Sequence, residues 1–145
     1  MKIDELYSKV RQELIKRGNR SMAAVIYKGN TIYSIGYSSP ITHMVFVNKK
    51  VAVPSLHAEM DAYRRAMNEY VRIHKKKLTA NLLIVRYLRS NYYANSKPCK
   101  DCLKFMKTNI NSISVKFVTY ANDICLTTEK LIEIKTSHIS RGWKR

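Results

Sequence analysis

Ser55-Leu56-His57-Ala58-Glu59 and, much further along, Lys97-Pro98-Cys99-Lys100-Asp101-Cys102 are the stretches whose reading decides the fold. Together they supply one imidazole, two thiols and one carboxylate. Three protein donors, a free fourth position and a carboxylate to move protons are what a catalytic zinc site needs. Cys99 and Cys102 stand at i and i+3, so on a helix they share one face and grip one ion. Pro98 suits a first helical turn, where its missing N–H costs nothing. The positive end of that helix favours thiolate over thiol. Leu56 to Glu59 opens a second helix by similar signals, with Pro54 ahead of it and Ser55 as its cap. His57 then ligates the metal while Glu59 reaches a water without ligating.

Taken singly, the pieces say little. A lone C-x-x-C serves a redox pair as readily, and a lone H-x-E means almost nothing. A structural zinc site wants a fourth Cys or His. The remaining cysteine, Cys125, lies on a later strand-like segment and reads as a small buried hydrophobe. The ordered combination, H-x-E followed by P-C-x-x-C, resembles the cytidine/deoxycytidylate deaminase superfamily. The resemblance runs from Met22 to Tyr120. Histidine at position 57 is similar to the deoxycytidylate, tRNA adenosine and APOBEC-type branches, and Leu56-His57-Ala58-Glu59 looks most like the deoxycytidylate branch. What the resemblance implies is a three-layer α/β/α fold with a mixed five-stranded sheet. It also implies one Zn2+ per chain on His57, Cys99 and Cys102, with Glu59 carrying the catalytic proton. Backbone groups near Ala58 would hold the base. Many members assemble, so a homo-oligomer is expected.

The rest of the chain bounds this reading. A length of 145 residues fits one domain, residues 1–145, with a modest core. Hydrophobic content of 46% is globular and excludes a disordered chain. Three cysteines, two of them assigned to metal, leave no disulfide framework and suit a reducing compartment. No apolar run reaches membrane-spanning length and the N-terminus is amphipathic, so a cytoplasmic protein without signal peptide or membrane partner is expected. Basic residues number 27 against 10 acidic, a net +17 that favours polyanions, either nucleic acid or a nucleotide phosphate. The basic residues are spread through Arg17/Arg20, Lys49/Lys50, Lys75-Lys76-Lys77 and Arg141/Lys144/Arg145, and form no arginine-rich arm. General enrichment in lysine explains the charge equally well.

Ile3, Leu6, Tyr7, Val10 and Leu14 fall at helical spacing over residues 3–17, and Gly18-Asn19 makes a stop. Met22 to Tyr27 and Thr31 to Tyr37 read as a hairpin around Lys28-Gly29-Asn30. In the superfamily this second strand ends in a Gly-x-Asn-like segment whose Asn holds the sugar. Here the run is Gly36-Tyr37-Ser38-Ser39, and Ser38 keeps a hydroxyl without the two-ended amide. Val45, Val47, Val51 and Val53 alternate in a connection that reads as a short hairpin with Asn48-Lys49-Lys50 at its tip. His43 there reads as a polar loop residue. Leu56, Met60, Tyr63, Met67 and Tyr70 mark an amphipathic helix with Arg64 and Arg65 facing solvent, closed by His74-Lys75-Lys76-Lys77. Asn81 to Leu88 reads as a strand covered on both faces.

The loop from Arg89 to Ser96 leads into the metal ligands. By resemblance it borders the substrate: Tyr92 or Tyr93 either stacks on the base or folds back on the core, and Arg89 or Lys97 meets a phosphate. Cys102, Leu103, Met106 and Ile110 give a further helix its buried side. Ile113 to Tyr120 is another strand, followed by Ile124 to Leu126 and, less clearly, Lys130 to Ile134. A short Ala121-Asn122-Asp123 turn favours an antiparallel last pair, and a longer connection a parallel one. The tail from His138 to Arg145 pairs Trp143 with basic residues.

Three functional readings follow from the resemblance. The first is a zinc-dependent hydrolytic deaminase of a cytosine nucleoside or nucleotide, deoxycytidylate foremost. The second is a deaminase of tRNA or single-stranded polynucleotide, RNA or DNA, which the charge supports. The third is a catalytically silent RNA-binding subunit on the same fold, which the intact Glu59 argues against.

Overall fold

The computed structural model describes residues 2–18, 22–39, 43–46, 50–53 and 57–136. Pro54, Ser55 and Leu56, the turn tip at Asn48-Lys49 and the tail at 138–145 lie outside the described residues. The first helix, α1, spans Ile3–Arg17, carries Asp4 and Glu5 in its first turn and Lys16 and Arg17 in its last, and so matches the helix dipole at both ends. Gly18 ends it with φ 70°, donating its N–H to the Leu14 carbonyl at 3.2 Å. Strand β1 (Met22–Lys28) turns through Gly29 into β2 (Thr31–Tyr37), as the hairpin reading requires. β3 (His43–Phe46) and β4 (Lys50–Val53) pair antiparallel in a separate ribbon, so the backbone of His43 belongs to a strand and not to a loop.

Helix α2 (Ala58–Ala66) continues into a π-helical turn at Met67–Val71 and a last α turn, α3 (Arg72–His74). The π turn, which periodicity does not reveal, slips the phase so that Met67, Tyr70 and Val71 still lean on the core. Strand β5 runs Leu78–Arg86, α4 Lys100–Thr108, β6 Ile113–Ala121 and β7 Leu126–Lys130. β5 starts earlier than its apolar run because Leu78, Thr79 and Ala80 already pair with Ile113, Ser114 and Val115.

The sheet order is β2-β1-β5-β6-β7, mixed and five-stranded. Only β5 and β6 run parallel, joined through α4, and the last pair is antiparallel. α1 covers one face through Leu6, Tyr7, Val10 and Leu14 against Ala23, Val25, Leu83 and Val85. α2 and α4 cover the other through Met60, Tyr63, Leu103 and Met106. β5 is therefore buried on both faces, which explains its unbroken apolar run. Two features of the C-terminal part differ from expectation. Cys125 is exposed, because Asn122 Oδ1 caps the Ile124 and Cys125 N–H groups and makes 122–125 a turn, with Asp123 at φ 79°. Leu131–Glu133 forms a 3-10 turn and no further strand. Among the described residues, no helix is long and apolar enough to cross a membrane.

Candidate active site

Both metal-ligating stretches resolve into helix N-termini. His57 caps α2 with extended backbone (φ −78°, ψ 149°), and its carbonyl accepts the Asp61 N–H at 3.0 Å. Cys99 caps α4 likewise (φ −74°, ψ 168°), its sulfur accepting the Cys102 N–H at 3.5 Å. The capping residue is thus the ligand itself. Pro98 precedes the cap and is not in the first turn, where its fixed φ was expected to sit. His57 Nδ1 lies 3.0 Å from Cys102 Sγ and 3.7 Å from Cys99 Sγ. The three donor atoms fall within 4.8 Å of one another, the only such His/Cys/Asp/Glu group among the described residues.

Charge at this cluster is distributed unevenly. Cys99 is pushed down to about 4, first because Cys102 donates to its sulfur and then because His57 does, against the opposing effect of burial. Cys102, the donor of that pair and fully buried, is held well above its ordinary value. Burial disfavours a charged His57, but Cys99 and the negative charge of Glu59 outweigh it and raise the imidazole. Glu59 is buried beside these groups, and burial raises its carboxyl despite its backbone hydrogen bond and the nearby imidazole. A carboxylic acid that resists ionisation beside a cluster of soft donors is suited to holding and passing a proton.

The family described as cytidine and deoxycytidylate deaminase zinc-binding region matches residues 1–119. The chain belongs to this family. No curated protein matches it. Two crystal structures of dCMP deaminase from the cyanophage S-TIM5 are similar, one apo and one in complex with dCMP and dUMP. Each is 21% identical over 81% of this chain, covers 82% and 81% of its own chain respectively, and has a TM-score of 0.47. One imidazole and two sulfurs are a borderline-soft set that leaves a tetrahedral ion one position short. In this deaminase the converging His57, Cys99 and Cys102 fit one Zn2+.

The other expected site residues scatter more widely. Ala58 is buried and opens α2, beside Glu59. Ser38 Oγ accepts the Met22 N–H at 3.2 Å, and so closes the end of the β1–β2 hairpin. Tyr92 and Tyr93 turn towards α1, on the sheet face away from the metal donors. Their rings lie 5.5 and 5.6 Å from that of Tyr7, whose hydroxyl donates to the Tyr92 carbonyl, and Arg11 stacks over Tyr92 at 4.6 Å. Tyr93 is half-buried against the α1 side of the core, while Tyr92 stays exposed. Lys97 places its ammonium 6.0 Å from the Tyr120 ring, and Arg89 is exposed.

One arrangement escaped the sequence reading. Asp61 is buried, accepts the Tyr37 N–H at 2.9 Å, and pairs with Arg64 and Arg65. Its spacing to the arginines, i+3 and i+4 on one helix, was the available signal. Burial opposes the charge on Asp61, but the Tyr37 N–H and the two guanidinium groups prevail and hold its carboxyl below the usual range. A carboxyl lowered in the folded state stabilises fully above its unfolded value, about pH 4, and loses that contribution as pH falls through the lower folded value. Acid unfolding of wild type below pH 4 should therefore be steeper than that of Asp61→Asn, measured by urea titration across pH 2 to 6. Equal slopes would remove Asp61 from the account of acid stability.

Proposed function

We propose that this chain is a zinc-dependent hydrolytic deaminase that converts a cytosine nucleoside or nucleotide, deoxycytidylate foremost, to the uracil form with release of ammonia. The observation that carries the proposal is the convergence of His57, Cys99 and Cys102 with a buried Glu59 on the adjoining helical turn. Bound zinc supplies Lewis-acid activation of water at neutral pH. Glu59 takes the proton that the attacking water gives up at C4 and delivers it to the ring nitrogen. A second transfer through Glu59 protonates the exocyclic amine, so that water and cytosine give uracil and ammonia. Backbone groups at Ala58, in the first turn of α2 where N–H groups lack helical partners, orient the base. His57, through its capping backbone, fixes the start of the helix that carries Glu59.

Deoxycytidylate leads because Leu56-His57-Ala58-Glu59 is similar to that branch. Release of ammonia from deoxycytidylate, deoxycytidine, cytidine and tRNA, measured side by side, tests the assignment. Fastest turnover on deoxycytidylate is expected. The second reading, a polynucleotide deaminase, draws on the net +17 charge and on the exposed run Arg72, Lys75, Lys76 and Lys77. It takes over if free nucleotides are inert while tRNA or single-stranded DNA is deaminated with steep salt dependence.

A further inference from the structure

Arg86 ends β5 as an exposed cation, and the strand register fixes where it stands. Gly36 on β2, Ala24 on β1 and Ile84 on β5 lie side by side across the sheet. That row touches the start of α2 and the approach to α4. A Cβ at Gly36 would meet the Ala58 carbonyl oxygen at 2.5 Å, and the Ile84 carbonyl accepts the Ser96 hydroxyl at 2.8 Å, just ahead of Cys99. The next row on the same face is Ser38, Met22 and Arg86: Met22 pairs with Arg86, and the Ser38 N–H donates to the Met22 carbonyl at 3.1 Å. Side chains alternate along β5. Leu82 and Ile84 enter the core under α2 and α4, whereas Leu83, Val85 and Tyr87 enter the one under α1. Arg86 therefore faces the metal side, as its partner Met22 does, about 7 Å past Ile84 by strand rise. The ion pairs among the described residues are those of Asp61 with Arg64 and Arg65, so the Arg86 guanidinium is not committed to a carboxylate. Lys97 differs, because the Tyr120 ring it approaches at 6.0 Å donates its hydroxyl to Glu129.

We propose that Arg86 binds the phosphate of the substrate and so makes the site select a nucleotide over a nucleoside. Ligands of open α/β sheets lie off the carboxyl ends of parallel strands, and Arg86 ends one of the two parallel strands here. A planar guanidinium fork matches phosphate oxygens two at a time, which a lysine ammonium does not. With the base held at Ala58 and Glu59, the sugar and phosphate run outward past Met22 to Arg86. This rests on the cytosine-deaminase reading of the same site.

The test is Arg86→Ala and Arg86→Lys on the full chain, read by kcat and KM for deoxycytidylate and deoxycytidine. Calorimetric binding of the products, dUMP and deoxyuridine, supplies a readout that needs no turnover. Lys116→Ala, which removes an exposed cation from the other half of β6, controls for net charge alone. Arg86→Ala should raise KM for deoxycytidylate about 10- to 100-fold, the worth of a hydrogen bond to a charged group. Its kcat should change less, since a phosphate remote from the reacting carbon contributes alike to bound substrate and transition state. Binding of dUMP should weaken by the same factor, with deoxycytidine turnover and deoxyuridine binding unmoved. Arg86→Lys, which keeps the charge without the fork, should fall between. An equal loss on deoxycytidine, or the same loss from Lys116→Ala, would overturn the proposal, and so would wild type that binds dUMP no better than deoxyuridine. Arg86-dependent deamination of single-stranded DNA with deoxycytidylate inert would put a chain phosphate there and overturn the assignment as well. Wild type that releases no ammonia yet binds dUMP through Arg86 would defeat the deaminase reading alone and support the phosphate site.

Discussion

Glu59→Gln should abolish ammonia release while leaving one zinc per chain in place. Glutamine matches the size of the acid and keeps a hydrogen-bonding carbonyl, so the buried site beside Ala58 stays filled. What it cannot do is accept and return a proton. A general acid–base contribution is typically about 100- to 10,000-fold, and here one group serves both the ring nitrogen and the leaving amine, which argues for the upper end. The metal should stay because Glu59 is not among the three converging donors. Rate and metal content, measured on the same preparation, separate this from a collapsed site. A variant that keeps more than a tenth of the wild-type rate would remove Glu59 from the proton path. Loss of zinc together with rate would recast it as part of the metal's support.

The metal centre was legible because its chemistry is local. Cys99 and Cys102 are bound to share a face once α4 starts between them, and His57 and Glu59 lie within one turn of α2. The layers were legible for a related reason. Leu6, Tyr7, Val10 and Leu14 repeat at helical spacing, and the apolar run of β5 announces cover on both sides. What failed to show depends on partners distant in sequence. Tyr92 and Tyr93 carry no mark of which sheet face they will join, and Tyr7, at the other end of the chain, decides it. Cys125 looks like a strand residue until the Asn122 side chain bends the segment. The π turn at Met67–Val71 inserts one residue of phase that an average periodicity hides.

Gly36 is the sharpest such case, and Gly36→Ala should damage both fold and activity. Its backbone conformation is an ordinary strand one, so no turn or positive φ explains the glycine. Its reason is the approach of α2. A Cβ built there would stand 2.1 Å from the Ala62 nitrogen and 2.5 Å from the Ala58 carbonyl oxygen, backbone atoms that no rotamer change can move aside. The same contact is pinned on either side, by Ser34 Oγ donating to the Ala62 carbonyl at 2.8 Å and by the Tyr37 N–H on Asp61. Overpacking costs about 1–3 kcal/mol and sometimes more, and rigid neighbours place this site at the high end. A fall in Tm of roughly 5–15 °C is expected. Because the helix that must retreat begins at His57 and Glu59, the surviving folded protein should also bind zinc less tightly and turn over more slowly. Thermal melting and zinc content of Gly36→Ala, beside a control such as Gly29→Ala, decide the matter. The control has open space around its Cβ and should show only the strain of its φ of +58°. A Gly36→Ala protein as stable and as active as wild type would mean that α2 and β2 do not meet this closely, and that the register holding Glu59 beside the metal donors is set elsewhere.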